Sequence, residues 1–189
     1  MALRVSFDLD DEDLKHFRLI MREARHSAAR STPEDVVAGA TGLLQRVGES
    51  QVPQFIRERL DKLELMIRML TDTEWRLPSQ ESSRVLSALA YFSEPDDLIP
   101  DDIPGLGFLD DAIMIELVVR ELKHEIEAYG DFCDFRTRQS PPPGTRGRSP
   151  EITREKWLDE RRKALQSRMR RRRKRNSRKS GGGSPLGLM

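Results

Sequence analysis

The sequence predicts an all-α protein: a small bundle of four or five helices, followed by a flexible linker and a basic helical tail. Apolar residues recur at spacings of three and four through most of residues 10–135, which is the periodicity of one helix face. Residues that start and stop helices divide the same stretch into segments. A stretch rich in Pro and Gly comes next, and a run of arginines lies beyond it.

The first helix is predicted to begin after Asp10, because Asp10 and Asp13 together form a capping pattern with acids in the first turn. Its apolar face is formed by Leu14, Phe17, Met21, Ala24 and Ala28. Residues 1–9 alternate apolar and polar side chains, which predicts a short strand or an extended arm.

The second and third helices have clear boundaries. Thr32 is a predicted N-cap with Pro33 in the first turn, and Gly48 can end that helix. Pro53 opens the third helix. Its stripe contains Ile56, Leu60, Leu63, Ile67 and Leu70, and Phe55 and Met66 are expected to widen it.

Two further core helices are predicted on either side of a turn-rich connection. Ser79 is expected to cap the first of them, and Glu94-Pro95 to end it, because a residue that precedes proline is disfavoured in helical geometry. The second is expected to be one continuous helix, with a wide apolar arc that runs from Ile113 to Ile126.

The charge is divided unevenly along the chain. Residues 1–145 contain 17 Lys and Arg against 28 Asp and Glu, whereas residues 146–189 contain 16 against 4. Seven of the eight residues in 168–175 are cations. The predicted segments are an arm (1–9), a helical N-terminal region (10–78), a helical hairpin (79–135), a linker (136–149), a basic helical tail (150–180) and a disordered end (181–189).

The hairpin contains an acid-rich connection. No Lys, Arg or His lies between Arg84 and Arg120, while eight acids do. Its text at 92–111, FSEPDDLIPDDIPGLGFLDD, resembles the signature of the YkvA-like family of bacterial proteins. The matching positions are Ser93, Pro95, Asp97, Leu98, Ile99, Pro100, Asp101, Ile103, Pro104, Gly107, Leu109, Asp110 and Asp111. One departure is Glu94, which is inserted between Ser93 and Pro95. The resemblance implies no defined activity, although members of this family are often described as membrane proteins.

Insertion of the hairpin into a membrane is not favoured by its sequence. Residues 103–119 contain ten strongly apolar residues, which contribute roughly −3 to −6 kcal/mol on the insertion scale. Three central acids, Asp110, Asp111 and Glu116, oppose insertion by roughly +8 to +10 kcal/mol. A buried helix is therefore expected, with peripheral membrane contact left open.

The aspartates could bind a divalent cation, since Mg²⁺ and Ca²⁺ prefer oxygen ligands. The candidates are Asp97, Asp101, Asp110 and Asp111. Asp110 and Asp111 project towards the apolar arc of their own helix, so each needs a buried partner. A backbone N–H, a tyrosine hydroxyl, an arginine or a metal could supply it. The alternative is that Asp96 and Asp101 cap turns, while Asp110 and Asp111 lie at a helix N-terminus, where anions are favoured.

The basic tail is expected to bind RNA or DNA phosphates without sequence preference. The predicted binding residues are Arg168, Arg170, Arg171, Arg172, Arg173, Lys174, Arg175, Arg178 and Lys179. Anionic lipid and the protein's own acidic body are competing partners. No catalytic motif is found, one cysteine excludes an internal disulfide, and the N-terminus lacks an apolar signal core. The sequence therefore predicts a non-enzymatic cytoplasmic binding or adaptor protein without an obligatory cofactor, with metal binding or membrane contact through the Asp-rich hairpin as the alternative.

Overall fold

The computed structural model describes residues 8–48, 52–93, 99, 107–138 and 150–180. Its helices are α1 (Asp11–Ser27), α2 (Pro33–Gly48), α3 (Gln54–Thr71), α4 (Ser79–Leu89), α5 (Leu109–Glu121), α6 (Lys123–Arg138) and α7 (Pro150–Ser180). Short 3₁₀ turns cover Ala28–Arg30 and Ala90–Ser93. No strand occurs in these described ranges, so the all-α prediction is confirmed. Residues 1–7 of the predicted arm and the predicted disordered end, 181–189, lie outside the described residues.

The chain forms two compact units. The first consists of Met1–Arg68 and Pro78–Glu121, and the second of Met69–Leu77 and Leu122–Met189. In the first unit, α1, α2 and α4 pack together with the 3₁₀ turn Ala90–Ser93. In the second unit, α6 and α7 pack against each other.

Local capping explains where the first two helices begin. The Asp10 carboxylate accepts hydrogen bonds from the backbone N–H groups of Glu12 and Asp13, and the Asp13 carboxylate accepts one from the Asp10 N–H. Thr32 and Asp35 make the same reciprocal pair at α2, where the Asp35 N–H donates to the Thr32 hydroxyl at 3.2 Å. Both arrangements satisfy N–H groups that a helix cannot pair internally. The caps predicted at Asp10 and Thr32 are confirmed.

The predicted stripes of α2 and α3 form much of the core of the first unit. Ile56, Leu63 and Met66 are fully buried, and Leu43 is 1% exposed. Phe55 was expected to widen this stripe, and that prediction is wrong: its side chain is 44% exposed. Phe55 lies one residue, or about 100°, before the buried Ile56, at the very start of its helix. It therefore points away from the core.

Three predicted boundaries differ from the structure. Ser79 is the first helical residue rather than the cap, because Pro78 adopts the extended backbone that precedes α4 and no side chain caps it. The wide apolar helix is broken at Leu122, whose buried carbonyl accepts the first hydrogen bond of α6 from the Ile126 N–H. Leu122 is buried, as the apolar arc predicts, but it belongs to neither helix. The predicted linker began at Arg136, but α6 continues to Arg138 and 139–149 lie outside the described residues.

Candidate functional site

Helix α7 begins at Pro150, as predicted, and packs by an apolar stripe against the rest of the second unit. Leu158, Leu165 and Met169 are buried, at spacings of seven and four residues that place them on one helix face. The amide of Gln166, on the same side, donates to the carbonyl oxygens of Trp75 at 3.0 Å and Arg76 at 3.3 Å. The basic tail is therefore a packed element of its own unit.

The cations that flank this stripe pair with acids on α6. The Arg172 guanidinium lies 3.0 Å from Glu127, and Arg173 lies 3.0 Å from Glu125, which is 1% exposed. Further pairs join Arg168 to Asp131 and the Asn176 amide to His124, the latter at 2.9 Å. The partners on α6 descend in number as those on α7 ascend, so the two helices run antiparallel.

Four other cations occupy the opposite face of α7. Arg171, Lys174, Arg175 and Arg178 follow the i, i+3, i+4, i+7 spacing of a single helix face, and all four side chains are exposed. We call these four residues the outer basic face. Seven residues of helix separate its ends, which corresponds to about 10 Å of helix axis.

The structure therefore divides the nine predicted binding residues. Arg168, Arg172 and Arg173 contact α6, and the outer basic face contains four others. Arg170 is exposed, and the side chain of Lys179 lies outside the described part. The sequence held a signal for this division, since the spacing of Leu158, Leu165 and Met169 defines which cations flank the packed stripe.

The division predicts different effects for neighbouring arginines. We expect Arg173→Gln to lower the free energy of unfolding of the second unit by about 2 kcal/mol, because the buried Glu125 carboxylate loses a charged partner. Arg175→Gln is expected to change it by less than about 0.5 kcal/mol. Urea unfolding, followed by tryptophan fluorescence, measures both, because Trp75 and Trp157 belong to this unit. Equal effects of the two substitutions would contradict the assignment.

A second polar cluster in this unit was missed by sequence reasoning. Asp72 follows α3 and accepts hydrogen bonds from the Tyr129 hydroxyl at 2.9 Å and the Arg136 guanidinium at 2.8 Å. Arg136 also contacts Glu74 at 2.9 Å, and Arg154 of α7 contacts the other oxygen of Glu74 at 2.8 Å. This cluster joins the turn after α3 to both α6 and α7.

Electrostatics in this cluster favour its charged carboxylates. Burial raises the pKa of Asp72, but hydrogen bonds from the Trp75 N–H, Tyr129 and Arg136 outweigh it and hold the pKa below its ordinary value. For Glu74, the contacts with Arg136 and Arg154 likewise outweigh burial and lower the pKa. Burial, reinforced by the Asp72 carboxylate, raises the pKa of Tyr129. The cluster is therefore structural: each charged group lies beside a group of opposite charge or a hydrogen-bond donor.

The aspartates of the Asp-rich hairpin are only partly within the described residues. Asp110 and Asp111 lie in the first turn of α5 and are 1% and 2% exposed, so their predicted burial is confirmed. The Asp110 carboxylate accepts hydrogen bonds from the Tyr91 hydroxyl and the Ile99 N–H, both at 3.2 Å. A tyrosine hydroxyl and a backbone N–H thus supply partners of the predicted kind.

Metal binding at this hairpin stays a prediction. Asp97 and Asp101, together with Pro95, Leu98, Pro100 and Pro104, lie outside the described residues. Within the described ranges, no group of three or more His, Cys, Asp or Glu side chains is arranged to hold a metal ion.

The sequence argued against insertion of the hairpin into a membrane. None of the helices in the described ranges combines the length and apolar character needed to cross a membrane.

Comparison with known proteins gives the relationship of the chain. Residues 84–117 match the family described as "Protein of unknown function (DUF1232)". The chain is 33% identical over 98 residues to "Uncharacterized membrane protein YkvA" of Bacillus subtilis (strain 168), a match that covers 49% of this chain and 84% of that protein. No solved structure matches the chain. A third of the aligned residues are identical, and the alignment covers most of that relative. The chain therefore belongs to the YkvA-like family.

Proposed function

We propose that this protein is a non-enzymatic binding protein that uses the outer basic face of α7 to hold RNA or DNA without sequence preference. The observation that carries the proposal is the alignment of Arg171, Lys174, Arg175 and Arg178 on the side of α7 opposite its packed stripe. Because packing fixes the helix, the four cations are presented together without further ordering of the backbone.

The chemistry of this face suits phosphates rather than bases. Arg and Lys contacts to backbone phosphates supply affinity and carry no sequence information. The stretch 167–180 contains no aromatic residue, so base stacking, the main addition to affinity for single strands, is absent from this part of the face. Binding is therefore expected to depend steeply on salt and weakly on sequence.

The salt dependence distinguishes four phosphate contacts from a larger number. If each residue of the outer basic face neutralises one phosphate, log K against log salt has a slope of about −3.6 on duplex DNA. If Arg168, Arg172 and Arg173 left α6 to join them, the slope would be about −6.3. Fluorescence anisotropy with a labelled duplex, titrated at several salt concentrations, measures the slope. A slope near zero would refute the proposal.

A charge-matched pair of variants tests the location of the site. Replacing Arg171, Lys174, Arg175 and Arg178 by Gln is expected to abolish measurable binding. The control replaces four exposed cations of the first unit, Lys15, Arg30, Arg57 and Lys62, by Gln and removes the same charge. The control should retain affinity to within about threefold, because these cations are spread over three elements and long-range charge effects are screened by salt. Equal losses would show that net charge, rather than this face, is responsible.

A second candidate function is adsorption to an anionic membrane. The Bacillus relative is named a membrane protein, which favours this function. The apolar stripe of α7 is buried within its unit, so insertion of that stripe into lipid is not available to the packed helix. Electrostatic attraction alone contributes about 1 kcal/mol per cation, or about 4 kcal/mol for the outer basic face. That corresponds to a Kd of about 1 mM. Flotation with phosphatidylserine vesicles tests it, and binding should be lost in the four-Gln variant. Flotation of that variant with uncharged phosphatidylcholine vesicles would favour the Asp-rich hairpin 94–111 as the membrane contact instead.

A further inference from the structure

The first unit contains an arginine-rich cavity that neither the family match nor the outer basic face explains. It has a volume of about 460 Å³ and lies between α1 and α5. Its lining residues are Arg18, Met21, Arg22, Arg25, Leu117, Arg120 and Glu121. Four of the seven are arginines, although residues 1–145 as a whole carry an excess of acids. We call it the arginine cavity.

The spacing of three arginines in α1 lowers the stability of that helix. Arg18, Arg22 and Arg25 lie at i, i+4 and i+7, on one face of α1. Like charges at i, i+4 destabilise a helix, and no acid of α1 lies between them on this face. Concentrating three guanidinium groups there favours a negatively charged partner.

Two of the four guanidinium groups pair with acids of α5. Arg25 contacts Glu121 at 2.6 Å and donates from its Nε to the Ser87 carbonyl at 3.1 Å. Arg120 contacts Glu116 at 3.1 Å. In the described ranges, Arg18 and Arg22 make no ion pair and are exposed. The cavity therefore combines two cations that pair with acids and two that are available to a ligand.

The charge balance indicates the class of ligand. Four guanidinium groups and the Glu121 carboxylate line the cavity, and Glu116 lies beside Arg120, which leaves an excess of at least two positive charges. A phosphomonoester carries about −1.5 to −2 at neutral pH and has three acceptor oxygens. Guanidinium groups bind such oxygens through paired hydrogen bonds. Met21, 5% exposed, and Leu117 supply an apolar wall for the carbon part of such a ligand. The volume falls within the range of small-molecule sites, about 300–1,000 Å³.

We infer that the arginine cavity binds a phosphomonoester, with Arg18 and Arg22 as the residues that contact the phosphate directly and Arg25 and Arg120 as further cations that line the cavity. A soluble phosphorylated metabolite and the headgroup of a phosphomonoester lipid share this chemistry. The inference is independent of the outer basic face, because it rests on residues of the other unit.

Calorimetric titration of the full chain with phenyl phosphate, a soluble phosphomonoester with an apolar carbon part, tests for the soluble ligand. We expect saturable binding that weakens at least about tenfold in Arg18→Gln/Arg22→Gln, since each lost charge-assisted hydrogen bond exceeds the effect of a neutral one. The control, Arg30→Gln/Lys62→Gln, removes the same charge from exposed positions elsewhere in this unit and should bind within about twofold of the parent. The variant that lacks the outer basic face should also bind as the parent does.

The lipid source is tested by flotation with vesicles of phosphatidylcholine that contain phosphatidic acid, in the background that lacks the outer basic face. Capture that is lost in Arg18→Gln/Arg22→Gln and displaced by phenyl phosphate supports a lipid headgroup as the ligand. The unfolding midpoint of the double variant should not fall, because a like-charged pair is removed. The inference is overturned if neither phenyl phosphate nor these vesicles bind, or if the double variant binds as well as the parent.

Discussion

Gly39→Ala is expected to lower the free energy of unfolding of the first unit by about 3 kcal/mol, the upper end of the range for forcing an extra carbon into a packed site. A Cβ built at this position would lie 2.5 Å from the Ser93 Cα and 2.6 Å from its Cβ. The obstacle includes backbone of the 3₁₀ turn Ala90–Ser93, which packs against α2. Backbone cannot rotate away as a flexible side chain would, so α2 and the turn have to separate. Far-UV circular dichroism in urea measures the loss.

Gly42→Ala provides the matched control on the same helix. Its Cβ would meet only the end of the Arg46 side chain, at 3.9 Å. Replacing a helical glycine by alanine without a clash is expected to raise stability by about 0.5–1 kcal/mol, because the unfolded chain loses conformational freedom. The two substitutions are chemically identical and should have opposite signs. Two losses of similar size, or two gains, would show that α2 does not approach Ser93 as the structure has it.

The contrast between Gly39 and Gly42 shows where sequence reasoning stops. The helix that contains them is predictable, because Thr32, Pro33 and Gly48 act on their immediate neighbours. The close approach of Ser93 to Gly39 depends on a residue 54 positions away, and both glycines look alike in the sequence. Local signals of this kind also identified Asp10, the burial of Asp110 and the start of α7, each of which follows from a few adjacent residues.

Some differences from the sequence predictions concern features without a local signal. No Gly or Pro marks the break between α5 and α6, so no local signal in the sequence predicts it. Within the arginine run itself Arg173 and Arg175 look alike, and only the apolar spacing of Leu158, Leu165 and Met169 outside the run distinguishes them. The Asp72 cluster was invisible for the same reason, because its contacts span 57 and 64 residues.

Asp72→Asn is expected to lower the free energy of unfolding of the second unit by about 2–3 kcal/mol at neutral pH, because a largely buried charged pair is broken. The substitution preserves shape, and its remaining oxygen can still accept from the Glu74 and Trp75 N–H groups, which lie 2.9 and 3.0 Å from Asp72 Oδ1. The other oxygen becomes an NH₂ group that faces two donors, the Tyr129 hydroxyl and the Arg136 guanidinium. Asp72 is only 10% exposed, so water compensates little.

The pH dependence of this difference provides a second measurement. The pKa of Asp72 is lower in the folded state, so its contribution to stability is fully present above the unfolded-state pKa of about 3.9. It is lost as the pH falls from that value through the folded-state pKa, where the protonated carboxyl comes to resemble Asn. The difference in the free energy of unfolding between the parent and Asp72→Asn should therefore become smaller below about pH 4. A gap that stays constant to lower pH would show that the charge of Asp72 contributes nothing.

Asp134→Asn is the control for this effect, because it removes an acid of α6 from an exposed pair. Asp134 lies 3.1 Å from Arg138, and the two side chains are 67% and 78% exposed. An ion pair of this kind contributes less than about 0.5 kcal/mol, so the control should unfold with the parent at every pH. Tryptophan fluorescence reports both variants, since the fully buried Trp75 packs against Tyr129 and Phe132 beside the cluster. If Asp134→Asn lowered the free energy of unfolding as much as Asp72→Asn does, the loss would reflect the number of acids in the unit. It would then not be due to the contacts of Asp72 with α6 and the turn after α3.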